Sequence, residues 1–345
     1  MMASNDNPIF VLGLGSIGSF IAQSLRSIPD PPPVTLLIHR EGLFNELSAN
    51  NWKLGIRIGE GTELKQCSGF NAEQLYKPSP NSIQKIRYLV VAVKASATVA
   101  ALEPLKDRIG RDTTICLFQN GLGQIDDLNE HLFPDTSTRP MYMCGILRHG
   151  VYLKSATEAV LSGSTGSASI GLTCTNQEIL ESSDRRFVVD ALLQAPMLNC
   201  NELTRSELLE IQLLKLATNC LINPLTALLD VRNGEILNHH TLVPLQKQVL
   251  NEISQVFQNL PELELPIGDR PKFTVESLEA AFRDTVEKTA YNSSSMREDI
   301  LKGRAVEVDF INGWIIRRGR DLGIQCLANS CLTQLIFAKS NIKSK

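Results

Sequence analysis

The chain has 345 residues, a length that is typical of two domains rather than one. Hydrophobic residues make up 43% and charged residues 21%, which excludes a disordered chain and indicates an ordinary globular protein. The formal net charge of −3 gives no indication of a nucleic-acid or membrane partner. No apolar run approaches the roughly 20 residues of a membrane span.

The eight cysteines show neither C-x-x-C nor any other metal-type spacing, and several lie in apolar runs. This usage predicts reduced core thiols in a cytoplasmic protein without a metal site.

The pair His239-His240 lies in a polar stretch without a third ligand nearby, so it is interpreted as part of the surface rather than as a metal site. The first residues carry no basic or Arg-rich amphipathic segment, so no signal or transit peptide is expected.

A glycine-rich turn near the N-terminus has the pattern of a dinucleotide-binding loop. A short apolar strand runs into G-L-G-S-I-G at 13–18, and a helical pattern follows at once. In such a unit the first glycine allows a tight turn, the second lets a pyrophosphate approach the backbone, and the third lets the helix pack closely on the strand. An ordinary glycine turn is the alternative. The predicted cofactor-binding residues here are Gly13, Leu14, Gly15, Ser16, Ile17 and Gly18.

The end of the next strand bears on the choice between NAD and NADP. This strand, at 34–38, follows a Pro-rich linker and ends at His39-Arg40. An acidic residue at this point suits the ribose 2′-hydroxyl of NAD, whereas an Arg suits the 2′-phosphate of NADP. Arg40 therefore favours NADP(H), although Glu41 follows directly and a solvated surface Arg is the alternative.

Two further strands, predicted at 88–93 and 114–119, each end in a polar residue. Lys94 follows the first strand, and Asn120 follows the second in an N-G-L-G turn. Because the carboxyl ends of parallel strands border the crevice that binds a dinucleotide, Lys94 is predicted to face the cofactor. Asn120 is predicted to serve the nicotinamide end or the substrate, with an ordinary Asn-Gly turn as the alternative.

The rest of the first half carries no recognisable chemistry. Residues 41–85 are predicted to be irregular apart from a hairpin near 55–62, and to form a loop or a small β addition. Helix is predicted at 97–108. Further strands are expected at 141–146, 151–161 and 167–174, with a helix at 176–195. From about 204 the pattern is almost entirely helical, so the predicted domains are 1–203 and 204–345.

The second domain opens with a polar stripe on an apolar helix at 213–228. Lys215, Asn219 and Asn223 are spaced i, i+4 and i+8, which places them along one helical face. Because a helix this apolar is buried on most sides, the stripe requires either an internal polar network or a polar ligand. Pro224 disturbs the same helix and frees one backbone carbonyl.

The C-terminal part is predicted to contain helices at 242–260 and 274–289, followed by two shorter helices. Gly303 is predicted to end the first of these shorter helices, and Gly323 the second. The break at Gly303 lets Ser295 and Glu307, which are 12 positions apart in the sequence, approach one ligand.

Taken together and in this order, the motifs resemble those of the ketopantoate reductase family over nearly the whole chain. The resemblance rests on G-L-G-S-I-G at 13–18, V-K-A at 93–95, Q-N-G-L-G at 119–123, K-L-A-T-N-C-L-I-N-P-L-T-A-L at 215–228 and S-S-M-x-x-D…G-R-x-x-E-x-D-x-I-N-G at 294–313. It implies an α/β Rossmann dinucleotide-binding domain followed by an all-α C-terminal domain, similar to 6-phosphogluconate dehydrogenase. The family's active site lies in the interdomain cleft.

The resemblance also implies a reaction, which is the NADPH-dependent reduction of 2-dehydropantoate to (R)-pantoate on the way to pantothenate and coenzyme A. Lys215 matches the family's general acid, and Glu307 matches the acidic residue that orients it. Lys94 and Arg40 match cofactor-binding residues. The residues that match the family's substrate-binding groups are Asn219, Asn223, Ser295 and Asn120, the last of which also lies beside the nicotinamide.

Some positions depart from the family pattern, at 213–214, 305–306 and 326–327. None of these departures removes a catalytic group, so they bear on the identity of the substrate more than on the type of reaction. One alternative is therefore an NADPH-dependent reductase of a different 2-keto acid or ketone. Another is a non-catalytic NADP(H)-binding sensor, which would be expected to lack Lys215 or Glu307. The sequence leaves the oligomeric state open, including a homodimer.

Overall fold

The computed structural model describes residues 7–59, 62–77, 84–162, 166–173, 183–237, 239–264, 266 and 270–342. The chain divides into two compact units. The first comprises Met1–Val93, Ala97–Gln119 and Ile125–Leu208, and the second comprises Lys94–Ser96, Asn120–Gln124 and Leu209–Lys345. The sequence placed the boundary near 203–204 and assigned both short segments to the first domain, whereas in the structure they belong to the second unit.

The first unit is an α/β structure. Its helices are α1 (Ser16–Arg26), α2 (Glu41–Ala49), α3 (Thr98–Leu102), α4 (Gln124–His131) and α5 (Ser183–Gln194). Its strands in chain order are β1 (Ile9–Leu12), β2 (Val34–Ile38), β3 (Leu54–Ile58), β4 (Lys65–Cys67), β5 (Asn71–Gln74), β6 (Tyr88–Val91), β7 (Thr114–Leu117), β8 (Met141–Leu147), β9 (Val151–Leu153), β10 (Glu158–Leu161), β11 (Ala168–Leu172) and β12 (Cys200–Glu202).

The main sheet of the first unit has the strand order β12-β11-β8-β7-β6-β1-β2-β5. Every neighbouring pair in it is parallel except β11 and β8. Strands β1, β2, β6 and β7 are buried at every residue, as parallel strands covered on both faces must be. Strand β1 lies between β6 and β2 and leads through the glycine turn into α1. This is the dinucleotide-binding arrangement that the sequence predicted.

Several local predictions for this unit need correction. The stretch 41–85 is not mainly irregular, since it contains α2 and a strand of the main sheet, β5. The hairpin expected at 55–62 is confirmed in its first strand, β3, whereas the antiparallel partner β4 lies further along the chain. The stretch 151–161 forms two antiparallel strands, β9 and β10, in a small second sheet with β3 and β4. The predicted helix at 97–108 is only α3 followed by a 3-10 turn that contains Pro104 at its start, where the missing N–H prevents regular continuation.

Three features of the sequence lie outside the described residues. They are Cys174, the central part of the small-residue turn at 163–165, and residues 176–182 of the helix predicted at 176–195. The remainder of that helix is α5.

The second unit is helical. Its helices are α6 (Arg205–Leu229), α7 (Val243–Gln258), α8 (Val275–Lys288), α9 (Ser295–Leu301), α10 (Val308–Asp321) and α11 (Leu327–Asn341). Both predicted glycine stops are confirmed, because Gly303 and Gly323 follow α9 and α10 with φ of 60° and 71°. An α/β dinucleotide-binding unit followed by a helical unit confirms the predicted fold class. No helix in the described part of the chain has the length and apolar character needed to cross a membrane.

A buried carboxylate fixes the start of the last helix. Glu252 on α7 is 3% exposed and accepts hydrogen bonds from the backbone N–H groups of Ala328 and Asn329 at 2.8 and 3.0 Å. The Asn329 side-chain amide donates to the same carboxylate at 2.8 Å. A negative charge at a helix N-terminus satisfies N–H groups that have no partner within the helix. The contact therefore anchors α11 to α7.

Candidate active site

The glycine turn of the first unit fits a dinucleotide. Gly13 has φ of 98°, and a Cβ there would lie 2.6 Å from the backbone nitrogen of Val93. A Cβ on Gly18 would lie 1.9 Å from the Gly13 carbonyl oxygen, so only glycine permits this approach of helix to turn. By contrast, nothing lies within 4 Å of a Cβ built on Gly15, the N-cap of α1, which offers no side-chain cap. The N-terminus of α1 is thus open to an anion such as a pyrophosphate.

Arg40 lies in the same unit as this turn. It follows β2, the parallel neighbour of β1, and it is the exposed N-cap residue of α2. The acidic residue beside it, Glu41, lies 3.5 Å from Lys77 Nζ on the surface. Partial burial, and secondarily the charge of Arg40, lower the pKa of His39 below its ordinary value. The exposed guanidinium is the positive group at the end of β2.

The polar stripe of the helical unit lies on one unbroken helix, α6. Lys215 and Asn219 are partly buried, and Asn223 is 4% exposed. Pro224 is accommodated within α6, so the helix continues beyond the stripe.

The carbonyl that Pro224 frees has a partner inside the protein. Proline has no N–H to donate four residues back, which leaves the Cys220 carbonyl without its helical hydrogen bond. The side-chain amide of Asn312 on α10 donates to this oxygen at 2.9 Å, and Asn312 is fully buried. The carbonyl freed at Pro224 therefore makes a contact inside the protein.

The turn between α9 and α10 brings Glu307 to the segment 94–96. Glu307 is the N-cap residue of α10 and is 5% exposed. Its Oε1 accepts the backbone N–H of Ala95 at 2.8 Å, and its Oε2 lies 3.3 Å from Lys94 Nζ. Lys94 Nζ also lies 2.5 Å from Oδ2 of Asp299, which is 2% exposed. The ammonium group of Lys94 thus lies between two buried carboxylates.

This arrangement fixes the charge of Lys94. Burial alone would lower the pKa of Lys94, but the charges of Glu307 and Asp299 and their hydrogen bonds outweigh burial and raise the pKa above its ordinary value of 10.5. Lys94 is therefore a permanent cation at neutral pH, paired with two anions. Perturbed titratable groups of this kind concentrate at functional sites.

The turn that carries Asn120 rests on the first turn of α10. The Leu122 N–H donates to the Phe310 carbonyl at 2.8 Å, and the Gln124 side chain donates to the Asn120 carbonyl at 2.9 Å. Gly121 has φ of 81°, and a Cβ there would lie 2.3 Å from the Phe310 carbonyl oxygen. The start of α10 therefore holds both short segments, 94–96 and 120–124, and positions Lys94 and Asn120 in one unit.

Ser295, predicted to bind substrate, is the exposed first residue of α9. Its neighbour Ser294 is 5% exposed and is the N-cap residue, accepting the Arg297 N–H at 3.1 Å. The Ser294 hydroxyl lies 2.7 Å from Thr226 Oγ1 on α6. Ser294 thus ties the start of α9 to the helix that carries the polar stripe.

The sequence predicted a role for most residues of this site but assigned none to three of them. Ser294, Asp299 and Asn312 lie within a motif that was recognised, yet none was assigned a role. Asp299 follows Arg297 and Glu298, and such a charged run is typical of an exposed helical turn rather than a buried ion pair. The N-cap role of Ser294 could have been predicted from the sequence, because Ser is a favoured N-cap residue. The pairing of Glu307 with Lys215 stays a prediction, and the contacts described above are those of Glu307 with Lys94 and Ala95.

In the part of the chain that the structure describes, no group of three or more His, Cys, Asp or Glu side chains is arranged to hold a metal ion. The described site instead consists of lysines, asparagines and carboxylates. Such groups are suited to binding a polar organic molecule and to moving a proton.

The family models and the relatives that match this chain all point to one family. Residues 9–173 match the family model described as ketopantoate reductase PanE/ApbA, and residues 207–340 match the model of its C-terminal part. The chain is 28% identical to a probable 2-dehydropantoate 2-reductase of Schizosaccharomyces pombe over 98% of this chain and 97% of that protein. It is 30% identical to 2-dehydropantoate 2-reductase of Vibrio cholerae over 72% of this chain and 76% of that protein.

A solved structure shares the fold across both units. The complex of D-mandelate dehydrogenase with NADH and anilino(oxo)acetate matches with a TM-score of 0.77 at 21% identity. The match covers 97% of this chain and 98% of that chain.

Proposed function

This chain belongs to the ketopantoate reductase family, and from that premise we propose that it reduces 2-dehydropantoate to (R)-pantoate with NADPH. It is an oxidoreductase that acts on a CH–OH group and uses a nicotinamide dinucleotide. The proposal of a specific substrate and proton donor rests on the polar side chains that the helical unit contains. One helix there presents Lys215 with Asn219 and Asn223, and the same unit holds the part-buried Lys94–Glu307 pair.

The proposed chemistry assigns one task to each group. The glycine turn Gly13–Gly18 would hold a nicotinamide dinucleotide, which would supply the hydride that reduces C2 of the keto acid. Lys215 donates a proton to the ketone oxygen, where negative charge develops in the transition state. Asn219 and Asn223 bind the neutral hydroxyl of the substrate without adding charge, and Ser295 adds a further hydroxyl contact. The Glu307 carboxylate holds the protonated lysines in place.

Asn120 and Lys94 serve the cofactor side in this proposal. The turn 120–124 is held on α10 by the contact of Leu122 with Phe310, which supports a fixed position for the Asn120 amide. Lys94 is a cation at neutral pH because its pKa is raised. The prediction that the active site lies between the two units stays a prediction.

The proposed preference for NADPH rests on Arg40. Its exposed guanidinium at the end of β2 can bind a 2′-phosphate. The neighbouring Glu41 carboxylate lies 3.5 Å from Lys77 Nζ on the surface. For Arg40→Ala we expect weaker NADPH binding with little change for NADH. An equal loss for both cofactors would show that Arg40 does not recognise the 2′-phosphate.

The product is a 2-hydroxy acid that the cell would convert to pantothenate and coenzyme A. We place the enzyme in the cytoplasm, where reduced thiols such as the buried Cys116 and Cys220 are stable. A small 2-keto acid is the proposed substrate, and a homodimer is the proposed oligomeric state.

The test is an assay of NADPH oxidation with ketopantoate and with a panel of 2-keto acids that differ in side-chain size and branching. We expect the highest kcat/KM with ketopantoate. Turnover of another 2-keto acid without turnover of ketopantoate would support the second candidate, a reductase for a different acid. The departures at Leu213 and Leu214, directly before Lys215, favour that candidate. Tight NADPH binding without turnover of any acid would indicate a sensor.

A further inference from the structure

We infer that Asp299 is a positioning residue of the active site, which holds the Lys94 ammonium beside Glu307 and keeps it from pairing with Glu307 alone. This inference rests on the proposed function and deepens it. It concerns a residue to which neither the sequence motifs nor the comparisons assign a role.

The first observation is the burial and full engagement of the Asp299 carboxylate. Asp299 is 2% exposed, and each of its oxygens meets a different cation. Oδ2 lies 2.5 Å from Lys94 Nζ, and Oδ1 lies 3.1 Å from Arg304 Nε. The Arg304 N–H also donates to the Asp299 carbonyl at 2.7 Å, which closes the turn after α9. A buried carboxylate requires such partners, because an unpaired charge is strongly disfavoured inside a protein.

The second observation is that the Lys94 ammonium lies closer to the Asp299 carboxylate than to the Glu307 carboxylate. Its nitrogen is 2.5 Å from Asp299 but 3.3 Å from Glu307. Both charges raise the pKa of Lys94, that of Glu307 first, but the shorter hydrogen bond of the ammonium is the one to Asp299. Glu307 uses its other oxygen for the Ala95 N–H at 2.8 Å. Glu307 therefore fixes the backbone of the segment, whereas Asp299 fixes its ammonium group.

The third observation is the balance of charge. Two buried carboxylates, Asp299 and Glu307, face two cations, Lys94 and Arg304, whose side chains are 36% and 52% exposed. If Asp299 loses its charge, Lys94 has only Glu307 as an anionic partner and moves toward it. The Glu307 carboxylate is then neutralised by Lys94, and it no longer serves Lys215 as the proposed mechanism requires. Asp299 thus acts through its neighbours rather than on the substrate.

A first measurement tests the positioning without relying on catalysis. In protein with ¹³C-labelled lysine, an NMR titration of the Cε–Hε signals follows the pKa of Lys94, with K94M assigning the resonance. The groups that face Lys94 are Asp299 from α9 and Glu307 from the start of α10, with Arg304 behind Asp299. We expect Asp299→Asn to lower the pKa of Lys94 and Asp299→Glu to keep it raised. An unchanged pKa in Asp299→Asn would overturn the inference.

A second measurement uses catalysis. We expect Asp299→Asn to lower kcat/KM by about 10- to 100-fold, because small displacements of catalytic groups have effects of this size. Lys94→Met should lower it to a similar extent, and the double variant should be no worse than the poorer single variant, since both changes remove the same contact. Multiplied losses in the double variant, or a kcat/KM within twofold of the parent enzyme in Asp299→Asn, would overturn the inference.

A matched control separates positioning from general loss of stability. Glu73 on β5 forms a part-buried ion pair with Arg108 at 2.7 Å in the other unit, so Glu73→Gln removes a paired carboxylate of similar chemistry. We expect it to leave kcat/KM and the pKa of Lys94 unchanged. If Asp299→Asn does not fold, Asp299→Glu replaces it: the longer side chain shifts the ammonium, so kcat/KM should fall while the pKa stays raised. Normal kcat/KM in that variant would count against positioning.

The two measurements also separate this inference from the proposed function. If the parent enzyme turns over no 2-keto acid with NADPH, the proposed function fails, while the NMR titration still decides whether Asp299 positions Lys94. If the parent enzyme is active and Asp299→Asn is indistinguishable from it in both measurements, the inference alone fails.

Discussion

Replacing Gly121 by alanine tests whether the start of α10 positions the turn that carries Asn120. Gly121 has φ of 81°, a left-handed conformation that alanine adopts only at a cost. A Cβ at this position would also lie 2.3 Å from the Phe310 carbonyl oxygen, where ordinary contact begins at 3.4 Å. The turn must therefore move away from α10 by about 1 Å, and the hydrogen bond from Leu122 to Phe310 is lost.

The size of the effect follows from these two costs. A left-handed alanine costs about 1–2 kcal/mol. Loss of one backbone hydrogen bond costs about 0.5–1.5 kcal/mol. Gly121→Ala should thus lower the free energy of unfolding by about 1.5–3.5 kcal/mol. Because the Asn120 amide shifts with the turn, kcat/KM should fall by up to about 100-fold.

Gly323 provides the matched control. It also has a positive φ, 71°, but nothing lies within 4 Å of a Cβ built on it. Gly323→Ala should therefore show the backbone cost alone, about 1–2 kcal/mol, with unchanged kcat/KM. The assays are urea denaturation and steady-state NADPH oxidation. Equal losses of stability and equal activity in the two variants would show that contact with Phe310 does not hold the turn.

Three further outcomes are expected. Lys215→Ala should lower kcat by about 10²- to 10⁴-fold with little change in the Kd for NADPH, and unchanged turnover would remove the proposed general acid. Asn312→Leu leaves the Cys220 carbonyl buried without a donor, so urea denaturation should show a loss of about 1–3 kcal/mol, and parent-like stability would contradict this role. The pKa of Lys94 is raised, so its stabilising contribution is complete below pH 10.5 and is lost as the pH rises through the raised pKa. The stability difference between the parent enzyme and Lys94→Met should therefore narrow in alkaline solution, and a constant difference would contradict the ion pairs.

Local patterns in the sequence were sufficient to predict the elements whose conformation depends on residues close together in the chain. The strand, glycine turn and helix at 9–26 follow from neighbouring residues, because the turn has a positive φ of 98° at Gly13 and brings Gly18 against the Gly13 carbonyl. The stops at Gly303 and Gly323 follow from the same preference for positive φ. The stripe of Lys215, Asn219 and Asn223 follows from helical periodicity alone.

Long-range contacts are what the sequence could not show. A parallel sheet places β5 beside β2, although the sequence at 71–74 has no pattern that indicates a strand. The partners of the carboxylates were also hidden, since Lys94 is 205 residues from Asp299 and 213 from Glu307. Charged residues in the sequence are read as exposed unless a specific partner is known, so the burial of Asp299 could not be anticipated.

The sequence by itself determined the class of the fold, the dinucleotide turn and the residue types available for proton transfer, because each depends on spacing along one strand, turn or helix. Only the tertiary structure decided which charges meet. In the structure, the segments 94–96 and 120–124 belong to the helical unit. The Lys94 ammonium pairs with both Asp299 and Glu307. The carbonyl freed by Pro224 accepts a hydrogen bond from Asn312. The physical reason is that buried ions and carbonyls must find partners in space, and those partners come from distant parts of the chain.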